Sequence, residues 1–195
     1  IMKKQKIRHE SAVESERVKM VLIDAKDNKE ERSLRRCSKR SPDGRFNYLI
    51  YFDAPANVRG VVLLTKQQEG RGDDQWLCMP ALGAKLKRIA GGSKRSAFMG
   101  TDFAYEDLRS EKLEAHAYTL LREEQSDHEL CYVVEAKPAN EDEIQSTGYS
   151  RRIFWIRKDN LTTVKTEYYD KGGQLLKTAT SYEMQSVKGE MMRPD

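Results

Sequence analysis

The sequence predicts a mainly β protein with a few helices, an α+β chain whose strands run antiparallel, and three observations lead there. Apolar and polar residues alternate with period 2 from Glu16 to Asp24, which puts Val18, Met20 and Leu22 on one face and Lys19, Val21 and Ile23 on the other. Runs such as Phe46 to Phe52, Leu130 to Ala136 and Arg151 to Arg157 are rich in aromatic and β-branched residues, and Val61-Val62-Leu63-Leu64 is apolar on both faces, as in a strand packed on two sides. Turn chemistry separates these runs at short intervals: Ser41-Pro42-Asp43-Gly44 has a proline that presets φ and a glycine that accepts a positive one, and Lys158-Asp159-Asn160 and Asp170-Lys171-Gly172-Gly173 act alike.

In chain order, residues 3–10 are polar and read as a first strand. The alternating strand ends at Ala25-Lys26-Asp27-Asn28 and so opens a hairpin. Residues 29–40 are charged on both faces, with Leu34 and Cys37 as core candidates, and read as an edge strand protected by charge. Phe46, Tyr48, Ile50 and Phe52 share one face of the next strand, which Ala54-Pro55-Ala56 breaks; a further strand runs from Val58 to Thr65. The loop Lys66 to Asp74 reads as exposed, and Asp73-Asp74 as its solvated end rather than a ligand pair. Gln75 to Pro80 is a strand stopped by proline, and Lys85 to Ile89 alternates basic and apolar residues with one slip. Gly91-Gly92-Ser93-Lys94 then opens a central insertion without the spacing of a phosphate loop.

The apolar residues of that insertion, Phe98, Phe103, Tyr105 and Leu108, follow neither a period of 2 nor one of 3.6. A short helix with an anchoring loop is expected, with Thr101 or Asp102 as N-cap and Glu106 and Asp107 near the positive end of its dipole; an aromatic-anchored surface loop is the other reading. Further on, a helical turn to about Glu114 leads into a strand, Asn140 to Thr147 is a loop, and the strands at Arg151, Leu161 and Gln174 form successive hairpins. Among strands apolar on both faces, the insertion is expected to cover the concave side of the sheet. The space beneath it is either a filled core or an apolar ligand cavity.

The chain of 195 residues is long enough for one domain or two small ones without disulfides, and 38% hydrophobic against 34% charged residues fits a globular chain with a large wetted surface. No run approaches the roughly 20 apolar residues of a membrane span, and Ile1 opens no signal peptide. The net charge of +4 is local: residues 1–45 hold 14 Lys and Arg against 8 Asp and Glu, a balance of +6. Interleaved acids weaken that field, so no nucleic-acid partner is expected. Cys37, Cys78 and Cys131 are far apart and in no ligand spacing, compatible with one structural pair plus a free thiol or with three buried free thiols, and no metal or cofactor is expected. His9, His116 and His128 sit among charged residues without a nucleophile motif, and Asp127-His128-Glu129 reads as a hairpin turn. Glu106 and Asp107 are adjacent and diverge by about 100° on a helix, so they do not face one substrate, and no enzyme is expected.

Pro55-Ala56-Asn57-Val58-Arg59-Gly60, the string from Asp73 to Leu82, Arg88-Ile89 and the string from Ser96 to Leu108 carry a resemblance, extended by Cys131 to Glu135, Trp155 to Asp159 and Glu167 to Asp170. In this order they resemble the outer-membrane lipoprotein-sorting protein family, related in fold to the LolA and LolB carriers, over most of residues 17–190. The resemblance implies a single domain over residues 1–195, an open, strongly curved antiparallel β-barrel or half-barrel with helical and loop cover on its concave side, and a periplasmic location in a Gram-negative bacterium. It implies acyl chains of a lipoprotein or another lipid as cargo, with an inner-membrane transporter as a handing-on partner. The family's signal peptide and N-terminal helix are expected to be missing before Ile1, and the end at Met191 to Asp195 to be short of the closing strands. Cys78 stands where an aromatic is common in the family, a mild departure. Trp76, Met79, Phe98, Met99, Phe103, Tyr105, Leu108 and Trp155 are the expected lining or lid residues. The alternative function is an accessory module docking on the transporter through the basic stretch around Arg35, Arg36 and Arg40.

Overall fold

The computed structural model describes residues 1–189 and 191–194. It divides into two compact units, one of Ser11–Arg109 and one of Ile1–Glu10 with Ser110–Asp195. Among the described residues, no helix is long and apolar enough to cross a membrane.

The first unit is a six-stranded antiparallel meander of β1 (Val13–Ile23), β2 (Lys29–Arg40), β3 (Phe46–Ala54), β4 (Val62–Lys66), β5 (Asp74–Cys78) and β6 (Leu86–Ile89), in that order. The alternation read in β1 holds, with Val18, Met20 and Leu22 turned inward. β2 is a correction: it pairs with both β1 and β3, so it is interior, and several of its charges are paired in place instead of guarding an edge. Arg36 meets Glu16, Arg35 meets Asp53 at 3.0 Å, and Arg32 meets Glu30 at 2.8 Å. β4 starts later than expected because residues 55–60 form a turn after a cis Ala54–Pro55 bond, with Val58 N donating to the Pro55 carbonyl at 3.1 Å and Gly60 N to that of Phe52 at 2.9 Å. Gly60 has φ +78°, and a Cβ there would stand 2.9 Å from Pro80 Cγ. The core gathers Leu34, Ile50, Phe52, Leu63, Leu77 and Ile89 from the sheet with Val58, Val61, Phe98 and Tyr105 from the connections.

The second unit holds the sheet β11-β10-β9-β8-β7, made of β7 (His116–Ser126), β8 (Glu129–Pro138), β9 (Arg151–Arg157), β10 (Thr163–Tyr169) and β11 (Leu175–Thr180). β12 (Met184–Lys188) and β13 (Met191–Pro194) form a separate hairpin; Asp195 lies outside the described residues. Burial on both faces holds here: Val134, Ala136, Phe154 and Ile156 pack with Met2 on one side, and Cys131, Val133 and Trp155 on the other. Two stretches depart from expectation. Of residues 3–10, read as a strand, all but Glu10 are helical, within α1 (Met2–His9), at the start of a chain in which no N-terminal helix was expected. α1 is fixed by contacts distant in sequence: Gln5 donates to Thr163 Oγ1 at 2.6 Å, and His9 Nε2 lies 2.9 Å from the Asn160 carbonyl. The acidic stretch after Pro138 forms α2 (Glu141–Ser146), capped by Asn140, whose side chain accepts from Glu143 N at 2.9 Å; its three acids sit in the first turn, where the dipole favours them.

Neither sheet closes on itself, so the barrel expectation is met only as open antiparallel sheets. All three cysteines are free, but only Cys131 is buried, with Cys37 and Cys78 half-buried, and burial pushes the Cys131 thiol up.

A buried polar cluster ties the strand entry of the second unit to β9. Arg152 donates to both Glu111 oxygens at 2.8 and 2.9 Å and lies 2.9 Å from His116 Nε2, while Tyr118 donates to Glu111 at 2.6 Å. With Nε2 accepting from Arg152, the imidazole is neutral and carries its proton on Nδ1, 3.1 Å from Glu111. Burial, aided by the Arg152 charge and opposed by Glu111, pulls His116 below the ordinary histidine value.

Two predictions follow from these environments. A histidine favoured neutral in the fold contributes stability above its unfolded value, about 6.5, and loses it as pH falls below that. Thermal unfolding of the wild type is therefore expected to weaken between about pH 7 and pH 5 more steeply than that of His116→Gln, and parallel slopes would remove this role. For the backbone, Gly60→Ala is expected to cost more than Gly44→Ala in urea denaturation. Both positions have positive φ, which disfavours alanine by about 1–2 kcal/mol, but only at Gly60 does the new Cβ meet a ring.

Candidate functional site

The central insertion is a tight hairpin followed by a 3-10 turn, which corrects the expected helix with Thr101 or Asp102 as its cap. Ala97 and Ala104 bridge antiparallel, and Phe98 N donates to the Phe103 carbonyl at 2.7 Å. Met99 and Gly100 form the corner with φ of 51° and 75°, the type I′ signature, closed by Thr101 N on the Phe98 carbonyl at 2.9 Å. Thr101 secures this corner: its hydroxyl donates to the Phe98 carbonyl at 2.7 Å and accepts from Phe103 N at 3.2 Å. The 3-10 turn Tyr105–Leu108 begins after Ala104, whose N–H donates to the Asp107 carboxylate at 2.7 Å, so Glu106 and Asp107 do fall in the first turn.

The insertion lies directly on the core face of the first unit's sheet. Phe98, 1% exposed, stands edge-on to Tyr105 with centroids 5.3 Å apart and 5.9 Å from the Phe52 ring. Each such ring pair adds about 0.5–1.5 kcal/mol to the burial. The space between insertion and sheet is a filled core at these rings, the first of the two readings.

Polar contacts at the start of β5 hold the insertion down, and here Asp73 and Asp74 correct the sequence reading. They are buried, not a solvated loop end. Asp73 accepts from Gln68 N at 3.1 Å and meets Arg109 at 3.5 Å, and its carbonyl takes the Lys94 ammonium. Asp74 is shared by Arg71, at 2.6 Å, and Arg88, whose hydrogen bonds hold its carboxyl well below the usual carboxylate range. Gln75, fully buried, donates to Thr65 Oγ1 at 3.1 Å and to the Tyr105 carbonyl at 3.0 Å. Lys94 and Arg109 on Asp73, and Tyr105 on Gln75, thus bring both ends of the insertion to the start of β5.

A groove of about 620 Å³ opens where the corner of the insertion meets the distal part of the β1–β2 hairpin. Met20, Leu22 and Phe103 give it apolar wall, with Glu30, Arg32 and Thr101 beside them. Phe103, 44% exposed, borders it. Arg32, 8% exposed, donates to Glu30 at 2.8 and 3.1 Å and to the Met99 carbonyl at 2.6 Å, fixing the left-handed corner to β2.

Of the eight expected residues, Phe98 and Tyr105 are in the core, with Met79, Met99 and Leu108 partly buried against it. Phe103 alone lines the groove. Trp76 is half-buried and alternates with the buried Gln75 and Leu77, so it faces the other side of β5. Trp155 belongs to the second unit, buried with its indole N–H on Glu124 and Lys165 4.2 Å above the ring. Sequence reasoning missed Arg32 and Met20 as groove residues. A signal was available: Arg32 stands two residues from Leu34 on one strand, so period 2 puts it on the core face. Phe98→Ala is expected to cost about 3–5 kcal/mol in denaturant unfolding, whereas Phe103→Ala costs less than about 1.

No curated protein matches the chain by sequence. A family model described as an uncharacterized protein matches residues 44–195. Among solved structures, the chain is similar to a domain assigned as an outer-membrane lipoprotein-sorting protein from Vibrio parahaemolyticus, with a TM-score of 0.91 and 30% identity over 99% of this chain and 80% of that one. It is similar to a DUF1329 family protein from Desulfovibrio piger at a TM-score of 0.86 and 30% identity, covering 95% of this chain and 78% of the other. A LolA superfamily protein from Nitrosomonas europaea aligns at a TM-score of 0.75 and 25% identity over 99% and 80% of the two chains. The fold, built from antiparallel sheets and a stitched-down insertion, and the 30% identity over nearly the whole chain lead to one conclusion: the chain belongs to the outer-membrane lipoprotein-sorting family, with the LolA-like fold.

Proposed function

We propose that this chain is a non-enzymatic periplasmic carrier that takes an acyl chain of a lipoprotein or another lipid into the groove between the β1–β2 hairpin and the insertion. The observation that carries the proposal is the exposed Phe103, which lines a groove of about 620 Å³ together with Met20 and Leu22. Burying each methylene of an acyl chain contributes roughly 0.8 kcal/mol, so a groove that shelters several of them binds without any catalytic group. A methionine in the wall suits a flexible, unbranched ligand, because its unbranched side chain adapts to the ligand's path. Phe98, Met99, Tyr105, Leu108 and Met79 serve as the base on which the corner is held, and Trp76 and Trp155 as wall residues of sheet faces outside the groove. Residues 1–195 work in this reading as one LolA-like domain, and an inner-membrane transporter is the partner that passes the cargo on. The alternative of a docking module acting through its arginines draws no support from their contacts: Arg35 is on Asp53, Arg36 on Glu16, and Arg40 lies 5.0 Å over the Phe46 ring.

Titration of detergent-free protein with a fluorescent fatty acid tests the reading. Wild type is expected to show saturable uptake, and Phe103→Ala about tenfold weaker uptake, the equivalent of about 1.4 kcal/mol, while its unfolding is unchanged. Absence of uptake by the wild type, or unchanged uptake by a folded Phe103→Ala, would overturn it.

A further inference from the structure

The outward face of β1 and β2 carries an arrangement that the groove does not use. The register of the hairpin places Arg17 directly opposite Arg35 and Lys19 directly opposite Ser33. Opposed residues on one face of an antiparallel pair have Cβ atoms about 4.5–5.5 Å apart, and like charges in that position repel. Arg35 is accounted for in part: its Nε and Nη2 donate to Asp53 at 3.1 and 3.0 Å, and its guanidinium lies 4.6 Å over the Tyr51 ring, which leaves Nη1 unspent. Among the described residues Arg17 has no ion-pair partner, so all five of its donors are available. Lys19 pairs with Glu31 at 3.0 Å, but both side chains are more than 60% exposed, so this pair is weak and readily exchanged. An open groove of about 530 Å³ is lined by Arg17, Lys19, Ser33, Arg35 and Asp53.

We propose that this groove is a binding site for a phosphate group, clasped between the guanidinium groups of Arg17 and Arg35. Three cations and a serine hydroxyl line it against the one carboxylate of Asp53, which Arg35 already occupies. A tetrahedral oxyanion supplies what the donors lack: several acceptor oxygens in one small volume, matched to the planar fork of Arg17 and the free edge of Arg35. It also converts the cross-strand repulsion into attraction to a shared counter-charge. Ser33 donates from the adjacent row of the hairpin, and Lys19 adds a movable positive charge. The phosphate can arrive as the free ion or as part of a phospholipid headgroup, and the chemistry of recognition is the same.

The test uses the full chain, with Arg17→Gln as the variant and Lys39→Gln, an exposed lysine of the same β2 strand outside the groove, as the control. Calorimetric titration with inorganic phosphate at constant ionic strength forms one arm. Co-sedimentation with phosphatidylcholine vesicles, with and without phosphatidylglycerol, forms the other. At least one arm is expected to show binding by the wild type that is about tenfold weaker in Arg17→Gln and unchanged in Lys39→Gln. Loss in the first arm identifies free phosphate as sufficient, and loss in the second alone identifies the lipid headgroup. In phosphate-free buffer Arg17→Gln is expected to melt no lower than the wild type, since it removes a repulsion, which separates lost binding from lost folding. No binding in either arm, equal binding by Arg17→Gln, or an equal loss in Lys39→Gln would overturn the proposal.

Discussion

The first unit depends on the buried polar attachment at the start of β5. Without it, the insertion would be a loop with an aromatic anchor at Phe98 and little to fix its ends. Asp73, Asp74 and Gln75 are costly to bury, and burial is tolerated because each finds charged or hydrogen-bonding partners: Arg109 for Asp73, Arg71 and Arg88 for Asp74, Thr65 and the Tyr105 backbone for Gln75. Removing one partner leaves an uncompensated group in a low-dielectric setting, so the arrangement specifies a position more than it adds net stability. That position sets the Met99–Gly100 corner, and the corner in turn sets Phe103 beside Met20 and Leu22.

Both units solve the same packing problem in different ways. Strands apolar on both faces need cover on each side. In the first unit the insertion and the residue 55–60 turn supply cover on the core face; in the second, Met2 of α1 does so over Val134, Phe154 and Ile156, while Lys165 lies over Trp155 on the other face. Long aliphatic cations over aromatic rings recur through the second unit, with Arg151 over Tyr169 at 4.1 Å and Lys177 over Tyr168 at 4.8 Å. Such side chains shield the ring with their stems while keeping the charge in water. This is how a chain with 34% charged residues covers so much sheet.

Much of the strand pattern was legible in the sequence because period 2 and turn chemistry are local signals. β9 falls on Arg151–Arg157 as read, β1 alternates as read, and the Asp127-His128 turn has the positive φ values of a tight hairpin. The failures share a cause: their determinants are distant in sequence. α1 is made largely of good helix formers but is only eight residues long and has no apolar stripe, so it depends on Thr163 and Asn160; β2 was assigned to an edge because the pairing of its charges with Glu16 and Asp53 is a matter of register. Asp73 and Asp74 look like a loop end until the arginines that reach them are seen. For the site, the insertion was found and Phe103 with it, but a string of aromatic letters does not separate Phe98, which is core, from Phe103, which is surface. The family resemblance was the strongest guide, since it drew on the whole chain at once.

The type I′ corner at Met99 and Gly100 has a further consequence for how the groove responds to an occupant. A methionine in the left-handed region is held there against its own preference, by the Thr101 bonds that close the turn and by the Arg32 guanidinium on the Met99 carbonyl. Arg32 also borders the groove, so the same side chain touches both the strained backbone and whatever lies beside it. The backbone corner and the groove wall are therefore one mechanical part rather than two, joined through a buried cation that Glu30 holds in place.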